Sequence, residues 1–228
     1  MIRAILSGLA AAFILAAPAF SDDKFEVRDN LPMEIPNFRL PDLQGNFHEL
    51  YEWSDAKAIV LFVQGNGCPI VRQTFPYLKE IRDAFEPQGV KFAMINSNAI
   101  DDRASIKQEL VDFEVDILAL KDELQAVARS LNSERTAEMF LIDPSTWTIV
   151  YRGEADDRFG YGLQRSNPQE FYLRDALVGW LADKSMPSTR KRITKGCLMD
   201  LIDLPREIDF TADVKPILKS LCSSCSHD

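Results

Sequence analysis

Histidine occurs only twice in this chain of 228 residues, and cysteine four times. Apart from His227, which follows Cys222 and Cys225, neither histidine has cysteine or carboxylate neighbours at metal-ligand spacing. The body of the chain thus lacks the clusters from which metal centres are built, and no metal is expected. Basic residues are also in deficit, 26 Lys and Arg against 35 Asp and Glu, for a formal net charge of −9. That balance excludes nucleic acid and anionic membrane surfaces as partners. Beyond the N-terminal leader no segment approaches the roughly 20 apolar residues that cross a bilayer. Internal repeats and low-complexity stretches are missing as well.

Residues 1–21 read as a targeting signal. Arg3 supplies the positive n-region, Ala4 to Ala17 is an apolar and small-residue run, and Ala17-Pro18-Ala19 offers a cleavage site, with Ala19-Phe20-Ser21 as a second register. Export is the expectation, to the periplasm in a Gram-negative host, with no membrane anchor once the signal is removed. Cys68, Cys197, Cys222 and Cys225 all lie beyond it and would meet an oxidising compartment. Four cysteines permit three disulfide connectivities, and the sequence does not choose among them.

Ala58 to Val63 is a β-prone apolar run, followed by Gln64-Gly65-Asn66-Gly67, then Cys68-Pro69 and an amphipathic segment from Ile70 to Phe85. This is a strand, a turn and a helix with proline in its first position. The Cys68 thiol therefore stands at a helix N-terminus, where unpaired N–H groups and the helix dipole favour the nucleophilic thiolate. A buried structural cysteine is the alternative.

Around this unit, residues 35–50 read as a hairpin turning at Gln44-Gly45-Asn46, with His48 on its surface. Gly89 ends the first helix region and Val90 to Ile95 is the next strand. Asp101 or Asp102 caps a helix to about Phe113, Ile117 to Leu120 is a short apolar piece, and Asp122 starts a helix to about Leu131. Met139 to Ile142 and Thr148 to Tyr151 form a closing hairpin. Asn167-Pro168-Gln169-Glu170 opens a helix to about Ala182 with an N-cap, a proline at N1 and a glutamate at N3. The pattern predicts an α/β fold, a central mixed sheet flanked by helices on both faces. Polar, basic residues from Lys184 to Lys195 mark a domain edge, dividing a domain at 22–195 from a tail at 196–228.

The order of elements and the cysteine at the first helix resemble the thioredoxin fold. The resemblance narrows to the redoxin group, which includes the alkyl hydroperoxide reductase and thiol-specific antioxidant proteins, and within it to a peroxiredoxin-like branch. Its landmarks here are Pro36-Asn-Phe-Arg-Leu-Pro-Asp, Gly67-Cys68-Pro69, Gly89-Val90-Lys-Phe, Ile95-Asn96-Ser97-Asn98, Arg135-Thr136, Phe140-Leu-Ile-Asp143, Tyr151-Arg152-Gly153 with Asp156-Asp157, and Gly196-Cys197-Leu198. Three features depart from the wider group. Val71 stands where thioredoxins carry a second cysteine. Leu61 and Gly65 stand where typical peroxiredoxins carry proline and the hydroxyl residue that orients the peroxide. Ala137 stands where a cis-proline usually follows Thr136.

The resemblance implies an exported thiol-dependent oxidoreductase in which Cys68 attacks a peroxide or a protein disulfide. A second thiol must resolve the product, and Cys197 is the candidate, against a structural disulfide to Cys68 or the tail. An exported thiol protein would donate the electrons. Arg135 and Thr136, in the loop facing Cys68, could stabilise the thiolate or polarise a peroxide oxygen; a surface arginine is the plainer reading. Asn96 and Asn98 stand at a strand end where ligands approach such sheets, and turn formation explains them equally well; the charged insert at 156–162 reads as a solvated loop, with a substrate or partner loop as the alternative. The tail, Ile208 to His227, resembles the opening of a c-type cytochrome module, but Ser226 separates Cys225 from His227, so haem attachment is not expected and no cofactor is assigned. The tail reads first as a remnant, then as a Cys222–Cys225 dithiol shuttle, then as a soft-metal site. The competing reading of the whole chain is a non-catalytic accessory or binding module with a static Cys68–Cys197 disulfide and a tail that docks a partner or a metal.

Overall fold

A computed structural model describes residues 33–160, 163–183 and 194–202, with isolated positions at 211 and 215. The expected signal at 1–21 and the tail residues Cys222, Cys225 and His227 lie outside the described residues.

Strand β4 (Ala58–Gln64) is buried along its whole length and organises the molecule. Its alternate side chains enter two separate apolar cores, Ala58, Val60 and Phe62 on one face and Ile59, Leu61 and Val63 on the other. A strand covered on both faces must be apolar throughout, which explains the unbroken run in the sequence. Strands β5 (Val90–Asn96) and β6 (Leu118–Lys121) extend the sheet in parallel from β4. On the other side β7 (Met139–Asp143) and β8 (Thr148–Gly153) run antiparallel, and β1 (Met33–Glu34) closes the edge. The sheet order is β1-β8-β7-β4-β5-β6.

Helices α1 (Pro69–Phe85), α2 (Arg103–Asp112) and α4 (Tyr172–Asp183) supply the first core. Helix α3 (Ala126–Ser130), the hairpin of β2 (Arg39–Pro41) and β3 (Phe47–Glu49), and Met199 cover the second. This is the expected thioredoxin-like arrangement, a mixed sheet with helices on both faces and an N-terminal hairpin. Among the described residues no helix is long and apolar enough to cross a membrane.

Several local expectations are refined. Asp102, not Asp101, caps α2, accepting from the Ser105 amide at 2.7 Å. Helix α3 starts later than Asp122, because Gln125 takes a left-handed backbone (φ 57) and Asp122 reaches forward to accept from the Val127 and Ala128 amides. Asn167 does not cap α4, which begins at Tyr172; the Gln169 and Glu170 amides are taken by the Asp157 carboxylate. The segment read as a solvated loop is packed. Asp156 is buried and paired with Arg158, and the short strands β9 (Phe159–Gly160) and β10 (Leu163–Gln164) pair with each other there. Asn96 and Asn98 are buried, hydrogen-bonded members of the β5 end.

One buried ion pair fixes the loop between α3 and β7. Arg152, 2 % exposed, donates to both carboxylate oxygens of Glu138 and to the Leu131 and Asn132 carbonyls. Glu138 also accepts from the Ser133 hydroxyl. Removing one partner strands a desolvated charge. Arg152→Leu is therefore expected to lower unfolding free energy by about 3–5 kcal/mol, measured by urea denaturation. A loss under about 1 kcal/mol would show the pair to be dispensable.

Candidate active site

Cys68 is the N-cap of α1, with extended backbone and Pro69 next. Its residue is only 3 % exposed. The turn that delivers it is held by two carboxylates. The Asn66 amide donates to Asp101, and the Gly67 amide donates to Glu109, each at 2.9 Å. Glu109 in turn accepts from Arg72, one turn into α1. Sequence reasoning missed both acids. Glu109 falls three residues after Ile106 on the buried stripe of α2, and an acid in an apolar stripe is the signal that would have found it.

Thr136 approaches from the loop before β7. Its hydroxyl donates to the Cys68 sulfur at 3.1 Å and accepts from the Cys197 amide at 3.0 Å. A hydroxyl has one proton, and of its two acceptors here the Cys68 sulfur at 3.1 Å is nearer than the Cys197 carbonyl at 3.4 Å. Two glycines make the approach possible. A Cβ on Gly65 would lie 2.4 Å from the Thr136 methyl, and one on Gly196 would lie 1.7 Å from the Thr136 carbonyl oxygen. The absence of a hydroxyl side chain at Gly65 is thus what admits a hydroxyl from across the sheet. Ala137 adopts φ 61, a left-handed backbone where relatives of this fold place proline. Its amide donates to the Val63 carbonyl at 2.7 Å, which ties the loop to the end of β4.

Residues 194–202 lie along this loop as a strap. Arg135 and Leu198 form an antiparallel bridge, the Thr136 amide donates to the Cys197 carbonyl, and the Met199 amide donates to the Glu134 carbonyl. Further on, the Asp200 amide donates to the Asn98 side chain, its carbonyl accepts from Gln125, and the Ile202 amide donates to Gln125. Lys195 pairs with Glu154 at 3.0 Å. Arg135 donates to the Gly196 carbonyl at 2.9 Å, so its guanidinium secures the strap. Of the sequence-selected residues, Cys68, Thr136 and Cys197 meet directly and Arg135 stands one layer behind.

The strap brings the Cys197 sulfur to 2.8 Å from that of Cys68, both as free thiols. The two titrate in opposite directions. Burial pushes the Cys68 thiol up, but bonds from the Cys197 thiol, the Thr136 hydroxyl and the Val71 amide outweigh it, and the net shift is downward. Burial, the bond to Cys68 and the Cys68 charge push Cys197 up to about 11. Of the two, Cys68 is the thiol whose charged form the site favours, and Cys197 is the one held in its protonated form. Among the described residues no cluster of ligating side chains could hold a metal.

The redoxin family model matches residues 31–160. A hypothetical protein from Sinorhizobium meliloti 1021 shares the fold with a TM-score of 0.68 and 26% identity, over 77% of this chain and 96% of that one. An uncharacterised protein from Geobacillus kaustophilus aligns with a TM-score of 0.68 and 25% identity, over 77% of this chain and 94% of its own. The chloroplastic thioredoxin-like protein AAED1 of Arabidopsis thaliana is 32% identical over 68 residues, 29% of this chain. That match spans only 27% of the Arabidopsis protein.

In a Cys222→Ser, Cys225→Ser chain, thiolate absorbance is expected to rise in two steps, one below pH 9 and one near 11. Thr136→Val should move the first step upward. Two superimposed steps near pH 9 would refute the asymmetry. The same shifts fix the sign of the stability profile. Cys68, lowered in the folded state, adds stability as pH rises towards 9, whereas Cys197, raised, loses its contribution as pH climbs from 9 to about 11.

Proposed function

The chain belongs to the redoxin family, and we propose that it is a thiol-dependent oxidoreductase with Cys68 as nucleophile and Cys197 as resolving thiol. One observation carries this reading: the two free sulfurs stand 2.8 Å apart and share Thr136. A disulfide needs about 2.05 Å, so the pair closes with little movement.

A small hydroperoxide is the substrate that fits. Cys68 is almost fully buried, and the backbone edge of residues 134–136, along which an extended polypeptide would pair, is taken by the strap. The Cys68 thiolate attacks a peroxide oxygen; the S–O bond forms as the O–O bond breaks, sulfur is oxidised by two electrons, and the departing alkoxide or hydroxide takes a proton from solvent. Cys197 then gives its proton to the leaving hydroxide, the S–S bond forms and water departs. A dithiol partner reduces the disulfide, and its own two sulfurs become oxidised. The leader at 1–21 supports an exported, periplasmic setting with an exported thiol protein as donor.

Cys68→Ser should abolish hydroperoxide consumption with a dithiol donor, while Cys197→Ser should let a sulfenic acid persist for trapping with dimedone. Undiminished turnover in Cys68→Ser would move the nucleophile elsewhere, and a wild type that turns over neither hydroperoxide nor disulfide would return the chain to the accessory-module reading. Faster turnover of a polypeptide disulfide than of hydrogen peroxide would reassign the substrate.

A further inference from the structure

Resting on the Cys68–Cys197 cycle just described, we propose that Lys121 is a positioning residue for its resolving step. From the end of β6 it pins the loop at 96–101, which is bonded on one side to the turn before Cys68 and on the other to the strap that carries Cys197.

A lysine at this place costs energy. Lys121 is 5 % exposed at the last position of β6, and burial lowers its pKa although the charges of Asp101, Asp122, Glu123 and Asp102 favour the ammonium. Leu118, Ala119 and Leu120 before it form an apolar strand, and a fourth apolar residue would complete it without that cost. A buried ammonium persists where its protons are used. The Lys121 Nζ donates to the Asn96 side-chain oxygen at 3.0 Å and to the Asn98 carbonyl at 2.7 Å.

An ammonium can only donate, so the Asn96 side chain must turn its oxygen to Lys121 and its amide nitrogen the other way. That nitrogen donates to Asp101 at 2.8 Å and to Gln64 at 2.6 Å. The same Asp101 oxygen accepts from the Asn66 backbone amide at 2.9 Å, and the Gln64 side chain donates to that of Asn66 at 2.9 Å. Asn66 lies in the turn that delivers Cys68, so this is the branch to the nucleophile. The other branch begins at Asn98. Lys121 and the Asp101 amide hold its carbonyl, and its side-chain oxygen accepts from the Asp200 amide at 2.8 Å. The Asp200 carbonyl in turn accepts from the Ala99 amide. Asp200 is three residues past Cys197 on the strap. Lys121 bonds the point from which both branches leave.

The second step is where this frame matters most. Before oxidation the Cys68 sulfur itself helps to hold the strap, accepting from the Cys197 thiol and from the Thr136 hydroxyl that also bonds Cys197. A sulfenic acid is neutral, and a neutral acceptor makes weaker hydrogen bonds than a charged one. Oxidation thus weakens the hold at the sulfur at the moment when Cys197 must come within bonding distance. The contacts at 96–101 do not involve the sulfur and persist through it. Without the Lys121 ammonium the Asn96 amide is free to turn and the Asn98 carbonyl to shift, and the strap loses its fixed seat.

The test uses the full-length chain carrying Cys222→Ser and Cys225→Ser, oxidised with one equivalent of hydrogen peroxide. Peroxide loss reports the first step; acid quench, alkylation and peptide mapping of the Cys68–Cys197 disulfide report the second. Lys121→Met should slow disulfide formation about tenfold, so that a sulfenic acid accumulates for capture by dimedone, while peroxide loss slows less than about threefold. Asn98→Ala, which removes the Asp200 contact and keeps the carbonyl, should slow the same step. Adding Lys121→Met to it should cost less than in the parent chain, because both cut one path. A residue that served folding alone would lower the urea midpoint and reduce both steps in proportion. Disulfide formation at the parent rate in a folded Lys121→Met chain, or an equal fall in both steps, would overturn the proposal. If Lys121→Met does not fold, Asn98→Ala decides, and an unchanged second step there overturns it. The parent chain separates the two claims. If it consumes peroxide and forms Cys68–Cys197, the cycle stands whatever Lys121 does; if it forms no such disulfide, both fall.

Discussion

Everything at the site depends on the position of one threonine. Thr136 touches the turn before Cys68, the strap that carries Cys197 and the sulfur between them, and its contacts at Gly65 and Gly196 leave no space for even a methyl group. A side chain at either glycine would push the loop away and open the hydroxyl–sulfur bond at 3.1 Å. The loop cannot recoil on its far side, because Arg152 and Glu138 anchor it from inside the second core. A backbone this tightly bracketed can hold a non-glycine residue, Ala137, at φ 61, a conformation that costs energy and persists only where surroundings over-determine it.

The architecture was legible because it rests on strong, local patterns. The apolar run of β4, the Cys68-Pro69 helix start and the β7–β8 hairpin are each decided within a few residues, and the sheet follows from their order. The boundaries that moved did so through contacts distant in sequence. Asp157 takes amides that Asn167 was expected to cap, and Asp122 reaches past a left-handed Gln125. The site was half legible. Cys68 announced itself by its helix position, and Thr136 and Cys197 by resemblance, yet what each does depends on pairings across 68 and 61 residues that no local pattern encodes. Gly65, which read as the loss of a catalytic hydroxyl, is the means of admitting one.

The electrostatics carry a tension. Asp101 and Glu109 are needed to fix the turn, and their charges oppose a thiolate nearby. Arg72 answers Glu109 at 2.8 Å, while Lys121, its pKa lowered by burial, donates to Asn96 and the Asn98 carbonyl in the network that also holds Asp101. Positive charge neutralises the acids locally. Stabilisation of the sulfur comes first from short-range donors, the Cys197 thiol, the Thr136 hydroxyl and the Val71 amide, with the Arg72 charge adding to it from farther off. Hydrogen bonds of this kind act on the thiolate alone and fall away with distance, so the lowered pKa belongs to the closed arrangement and not to the helix start by itself.

That dependence explains why the second thiol is carried on a strap and not within the first helix turn. A partner at Val71 would be fixed to the same helix as Cys68. The strap instead buries chiefly Met199 and holds by backbone and side-chain hydrogen bonds at its edges. Each such bond contributes about 1 kcal/mol net, so the segment is held by many small polar contacts and not by one apolar face. In place, it supplies one of the three donors to the Cys68 sulfur, the Cys197 thiol, and its Cys197 amide holds the Thr136 hydroxyl that is the second; the third, the Val71 amide, belongs to the helix itself. Thr136 is therefore the contact through which the strap and the helix start act on one sulfur.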